Sequence, residues 1–277
     1  MNPDSPIALV TGATSGFGEA IAKKLSHEGY RLIICGRRKE RLDALKDKLP
    51  GPCHALTFDV RSREEVQEAM QSLPSDWRGI QVLVNNAGLA WGRESIQDGV
   101  HEKWESMIDT NVKGVLYVTE STLPFMRHAM GVRTIINLGS IAGKQAYAGG
   151  NVYSATKYAI DGLTQSMRID LLSEGIRVGQ IAPGAAQTEF SLVRFDGDQE
   201  KADSVYVGFS PLQASDIADA VFFMVSRPPH VCINDMVIMP SAQANATSFH
   251  RTTKAKRKNQ KMAASISDTI IESTEGL

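Results

Sequence analysis

Tyr153 and Lys157 stand four positions apart in the stretch "YSATK". At that spacing on a helix two residues share a face, so a phenol and an ammonium would point the same way. A free phenol has a pKa of about 10 and is a poor base at neutral pH. To pass a proton efficiently its pKa must fall by roughly 3, or about 4 kcal/mol. One ammonium about 4 Å away in a partly screened site supplies energy of that order. Ser140, at the end of "INLGS", has a hydroxyl suited to donate to a substrate oxygen as charge develops there. Asn111, in "DTNVKG", is a neutral polar residue in a mostly apolar helical stretch, and a buried, satisfied amide is its bland account. Tyr-x-x-x-Lys alone reads by default as a surface pair. Its neighbours point to chemistry.

A second cluster lies near the start. "TGATSGFG" runs Gly12, Ala13, Thr14, Ser15, Gly16, Phe17, Gly18, between an apolar run and an amphipathic stretch. Glycines at a strand–helix junction permit a tight turn and let backbone N–H groups approach a pyrophosphate, with the helix start offering unpaired donors. The spacing is G-x-x-x-G-x-G rather than the commoner G-x-G-x-x-G. A site for NAD usually places an acid after the second strand, on the ribose hydroxyls. Here that place reads "CGRRKERL", with Gly36 followed by Arg37 and Arg38. A carboxylate would repel a 2′-phosphate by about 4 kcal/mol per unit charge at 4 Å and effective dielectric 20. Two guanidiniums attract it, so the reading is NADP(H). The alternative is that both arginines merely begin a charged helix. Asp59 and Val60 end the third strand and either flank an adenine or cap the strand.

These residues need a scaffold that brings strand ends together. "IALVTG", "RLIIC", "HALTFDV", "VLVNNAG", "TIINLGS", "IRVGQIAPG" and "DMVIMP" read as seven strands, several of them unbroken apolar runs. Helical stretches lie between them, at 18–29, 39–48, 64–73, around 104–130, 153–173 and 215–226. That alternation implies an α/β fold: a single doubly wound Rossmann domain with a parallel sheet covered on both faces, spanning residues 1–250. Residues 251–277 hold six Lys/Arg and then polar and acidic residues. They read as a basic, then polar, disordered tail, or else as a contact for an anionic partner.

Composition narrows the class. The chain has 277 residues, 42% hydrophobic and 22% charged, enough to bury roughly 75% of its unfolded surface without disulfides or metals. A net charge of −1 argues against a nucleic-acid-binding surface. Three scattered cysteines fit packing thiols in a reducing cytoplasm. The dispersed histidines lack metal-ligand spacing, and no apolar run reaches the roughly 18 residues of a membrane span. The expectation is a cytoplasmic protein.

In order and spacing, "TGATSGFG", "NNAG" (Asn85–Gly88), Asn111, Ser140, Tyr153, Lys157 and "PG" (Pro183–Gly184) resemble the short-chain dehydrogenase/reductase family over residues 7–250. The resemblance implies a seven-stranded sheet, Tyr153 as acid/base, Ser140 orienting the substrate, and Lys157 holding the nicotinamide ribose while lowering the tyrosine's pKa. It implies that Asn111 braces a helix and a proton-relay water, and that Asn86 and Gly88 line the cofactor. The stretch from Pro183 to Ser191 would cover the nicotinamide, with Thr188 near its carboxamide. It also implies a homotetramer. "GRRKERL", "YAGGNVYSATK" and "TEFSLVRFDGD" resemble the branch of NADP-dependent 3-hydroxy acid, or serine, dehydrogenases, implying L-serine, L-allo-threonine or 3-hydroxypropionate as small-molecule substrates. Arg194 is then the nearest candidate to clamp the substrate carboxylate, unless it pairs with Asp196 or Asp198. Gln145 and Tyr147 either line the pocket or pack against the loop. A 3-oxoacyl-carrier-protein reductase and a non-catalytic NADP(H)-sensing protein remain as alternatives.

Overall fold

A computed structural model of the chain describes residues 5–252. The tail expected after residue 250 lies outside them, apart from Arg251 and Thr252. Seven parallel strands form one sheet in the order β3-β2-β1-β4-β5-β6-β7. They are β1 (Ile7–Thr11), β2 (Arg31–Gly36), β3 (Cys53–Thr57), β4 (Ile80–Asn85), β5 (Arg133–Leu138), β6 (Ile176–Pro183) and β7 (Asp235–Ile238). The helices are α1 (Gly16–His27), α2 (Lys39–Lys46), α3 (Arg63–Gln71), α4 (His101–Ile108), α5 (Gly114–Arg127), α6 (Asn151–Asp170), α7 (Glu189–Arg194), α8 (Gln199–Ser204) and α9 (Ala214–Val225). The fold expected from the sequence is the one observed.

Strand side chains alternate between faces, which is why both faces can carry a dry core. In β1, Ala8 and Val10 join Ile21, Leu25, Val221 and Met224 under α1 and α9. Ile7 and Leu9 instead join Val66, Met70, Val118 and Met126 under α3 and α5. With both faces covered, the central strands read as continuous apolar runs.

Two features depart from the expected elements. The long helix expected around 104–130 is two helices, α4 and α5, joined by a wider π turn at Asp109–Lys113. The stretch after β6, expected only as a covering segment, contains two short helices, α7 and α8. Thr188 caps α7 by accepting from Phe190 N, and Asp198 caps α8 by accepting from Lys201 N. Among the described residues no helix is long and apolar enough to cross a membrane.

Candidate active site

The strand order reverses between β1 and β4, and sheets of this kind bind ligands at the carboxyl ends of strands beside such a switch. A cleft of about 770 Å³ opens there, lined by Ser140, Tyr153 and Lys157 together with Gly12, Arg38, Asn86 and Arg194. Tyr153 lies in the first turn of α6, entered through Gly149 at φ +71. A Cβ at Gly149 would also lie 2.5 Å from the Arg93 carbonyl oxygen, so only glycine lets the chain turn into α6 this close to the β4–α4 loop.

Tyr153 is 8% exposed and packs with Ala90, Met107 and Ala142, while the Phe190 ring lies 5.7 Å from its own. Burial pushes its hydroxyl up to about 12, and the neighbouring Tyr147 adds to the rise. The hydrogen bond with Ser140 and the Arg194 charge pull it back in part. Lys157 is equally enclosed, and burial draws its ammonium down to about 8. Its Nζ donates to the Leu138 carbonyl at 2.8 Å and sits 5.9 Å from the Tyr153 ring centroid. The geometry thus corrects one expectation: in the protein alone the phenol is raised rather than lowered. Desolvation of a fully enclosed hydroxyl outweighs the pull of nearby charge.

Asn111 lies in the π turn and is buried. Its Oδ1 accepts from Leu89 N at 2.8 Å, and its Nδ2 donates to Leu89 O at 2.8 Å and Thr156 Oγ1 at 3.0 Å. Both amide protons are used, so Asn111 ties the loop after β4 to α6 from behind the cleft wall, with one oxygen lone pair to spare.

Arg194, at the end of α7, pairs with neither Asp196 nor Asp198. Asp196, at φ +53, accepts from Trp91 Nε1 and from Lys103 Nζ, and Asp198 pairs with Lys201. The Arg194 guanidinium stands 5.6 Å from the Tyr153 ring centroid and donates to the Tyr147 hydroxyl at 2.7 Å. Its Nε is buried without a hydrogen-bond partner. A buried cationic donor left open beside the tyrosine is what an anionic substrate group needs. Gln145 does not reach the cleft: it is exposed, and its Oε1 accepts from Ala246 N at 2.9 Å, bracing a later loop.

The other end of the cleft fits a phosphorylated dinucleotide. Ser15 precedes α1 without a side-chain cap, leaving the first N–H groups of that helix for a phosphate. Gly18 packs so closely that a Cβ there would lie 2.3 Å from the Gly12 carbonyl oxygen and 2.5 Å from Asn86 Nδ2. Thr14, Ser15, Gly16, Phe17, Arg37, Asp59, Val60, Gly88, Pro183, Gly184 and Thr188 line the cleft. Ala13 turns into the core, with its N–H donating to Cys35 O at 3.0 Å. Arg38 donates to Thr14 Oγ1 at 2.8 Å and to Ser15 Oγ at 3.2 Å. At Gly36 a Cβ would meet Thr14 Cγ2 at 2.9 Å, so a side chain at the place an acid occupies in NAD sites would have to displace Thr14. Glu189 and Phe190 line the cleft from within the segment expected to cover it, whereas Arg93 lies outside every stretch expected at the site. It comes from a loop whose path no local pattern announces.

Residues 6–198 match the short chain dehydrogenase family. The chain is 48% identical over 248 residues to the NADP-dependent 3-hydroxy acid dehydrogenase YdfG of Salmonella typhi, covering 89% of this chain and 100% of that one. It is 43% identical over 242 residues to sulfoacetaldehyde reductase 2 of Chromohalobacter salexigens, covering 87% and 96%. Among solved structures, the closed form of serine dehydrogenase complexed with NADP+ superposes with a TM-score of 0.84 at 45% identity, covering 89% and 100%.

Proposed function

The chain belongs to the short chain dehydrogenase family and is an NADP-dependent oxidoreductase acting on CH–OH groups, and on that premise we propose that it interconverts small 3-hydroxy acids with their oxo forms. The observation that carries this reading is the open, half-buried Arg194 guanidinium beside Tyr153. A substrate carboxylate seated on it would bring a carbonyl at the third carbon toward the Ser140 and Tyr153 hydroxyls.

In this reading Gly12, Gly16 and the start of α1 hold the pyrophosphate, and Arg37 and Arg38 hold the 2′-phosphate. Asp59 and Val60 flank the adenine; Asn86, Gly88, Pro183, Gly184 and Thr188 line the nicotinamide side. Bound there, the nicotinamide gives or accepts hydride. In reduction Ser140 donates a hydrogen bond to the carbonyl oxygen, and Tyr153 passes its proton to that oxygen as negative charge develops. In oxidation Tyr153 must first lose that proton so that it can take one from the alcohol. Lys157 supplies positive charge near the phenol and a donor for the ribose. Asn111 keeps the Leu89 backbone and α6 in register. Phe190 and the Pro183–Ser191 segment exclude water.

The test compares small hydroxy acids with an uncharged carbonyl in wild type and Arg194→Ala. Losing a charged hydrogen bond costs about 2–3 kcal/mol, so KM for L-serine or 3-hydroxypropionate should rise roughly 30- to 150-fold. Uncharged carbonyls should fall far less. Equal losses on both would defeat the clamp. A guanidinium binds a sulfonate as well as a carboxylate, and one relative is named a sulfoacetaldehyde reductase, so a sulfonated aldehyde is the second reading. Higher kcat/KM on that aldehyde than on any hydroxy or oxo acid would select it. Preference for a carrier-bound thioester would instead favour acyl-carrier chemistry, and NADPH binding without any turnover a sensing role. The family resemblance also supports a homotetramer in the cytoplasm, with residues 1–250 as its single domain.

A further inference from the structure

Glu189 opens α7, on the segment that covers the cleft, yet its carboxylate points toward the dinucleotide end. Arg41 Nη1 donates to both of its oxygens at 3.1 Å, and Arg38 Nη1 lies 3.8 Å away. Arg38 also holds Thr14 and Ser15 of the glycine loop. Three separate segments therefore converge on one pair of guanidiniums: the glycine loop, the turn after β2 and the start of α7. Arg38 and Glu189 both line the cleft.

These side chains are about half exposed, Arg41 at 48% and Glu189 at 49%. An exposed ion pair of this kind contributes only about 0–1 kcal/mol, so it persists only while no stronger anion competes. A 2′-phosphate is such an anion, with more charge and three acceptor oxygens for forked guanidinium bonds. A carboxylate held beside it would repel it by about 4 kcal/mol per unit charge at 4 Å and effective dielectric 20. The two anions cannot share Arg38.

We propose that Glu189, itself held by Arg41, is an internal stand-in for the 2′-phosphate: it keeps Arg38 in place until NADP(H) displaces it. NAD(H), lacking that phosphate, leaves the pair closed. Glu189 is thus a specificity residue for the cofactor's phosphate. The inference rests on the assignment of Arg38 to the 2′-phosphate made above.

The experiment uses two probes that cannot react, 2′,5′-ADP and 5′-AMP, titrated calorimetrically into wild type and Glu189→Gln at low salt. Wild type should prefer 2′,5′-ADP. Glu189→Gln should bind 2′,5′-ADP roughly three- to fivefold tighter, the equivalent of releasing a surface ion pair, with 5′-AMP unchanged. Glu189→Ala must behave like Glu189→Gln, because charge alone is at issue. An unchanged or weaker 2′,5′-ADP constant, or a divergence between the two variants, overturns the inference. If wild type still prefers 2′,5′-ADP in that case, the cofactor assignment stands; if wild type shows no preference, both fall.

Discussion

The Tyr153 hydroxyl holds its proton throughout the neutral range, since burial raises it to about 12. A protonated phenol is already a proton donor, so carbonyl reduction should run at a level rate from about pH 6 to 8. Alcohol oxidation needs the phenolate, and its kcat/KM should climb about tenfold per pH unit over the same interval. Steady-state rates in both directions check this, and two flat profiles would mean that another group moves the proton. Tyr153→Phe should abolish both directions while leaving NADPH affinity nearly unchanged. Lys157 carries a complementary liability. Its ammonium is drawn from 10.5 to about 8 by burial, a displacement worth roughly 3 kcal/mol against the fold at neutral pH. Because the folded value is the lower one, this penalty is full below pH 8 and fades as pH rises toward 10.5. Lys157→Met should therefore melt a few degrees above wild type at pH 7, with the gap closing by pH 10, while turnover is lost; calorimetry without cofactor reads it. The four-residue spacing was legible because helix geometry is local. The direction of the tyrosine's shift was not, because it depends on Phe190, Met107 and Arg194, which arrive from distant segments.

Among the elements, the strands were the most readable, since a sheet covered on both faces demands uninterrupted apolar runs such as "IALV". The π turn at Asp109–Lys113 was not: its extra residue changes no composition, and only the folded contacts with Leu89 and Thr156 reveal why Asn111 must face inward. The short helices α7 and α8 escaped notice because six residues contain less than two turns of pattern. The glycine loop was legible as a motif, but the division of labour within it was not. Gly18 serves approach rather than contact with ligand, with the Gly12 carbonyl 2.3 Å from where its Cβ would be. Gly18→Ala must push α1 away from the loop and Asn86, at a cost of about 1–3 kcal/mol. A lower melting temperature together with at least tenfold weaker NADPH binding is expected; normal binding would show that the loop adapts.

At the scale of the whole molecule, α6 faces two ways. Tyr153, Thr156, Lys157, Ile160 and Thr164 point inward, while Tyr158 at 45% and Ile169 at 74% exposure share the outer face with Gly162. Leu172, just beyond the helix, is 75% exposed. Apolar side chains flanking a bare glycine on one stripe suit close packing against another helix. For a homotetramer joined through this face, Ile169→Glu should give a smaller species by light scattering, and an unchanged mass would exclude this face from subunit contact. The charge of −1 also hides an uneven distribution: five arginines together with Lys157 and Lys201 line the cleft against Asp59 and Glu189, so its interior attracts anions although the chain as a whole does not. The backbone N–H of Gly92 donates to the Arg194 carbonyl at 3.0 Å, so the far end of α7 is fastened to the rim as its near end is fastened to the arginines after β2. One short helix thus bridges the length of the cleft, moored at each end by a different neighbour, so dinucleotide and substrate share a wall made of a single stretch of chain.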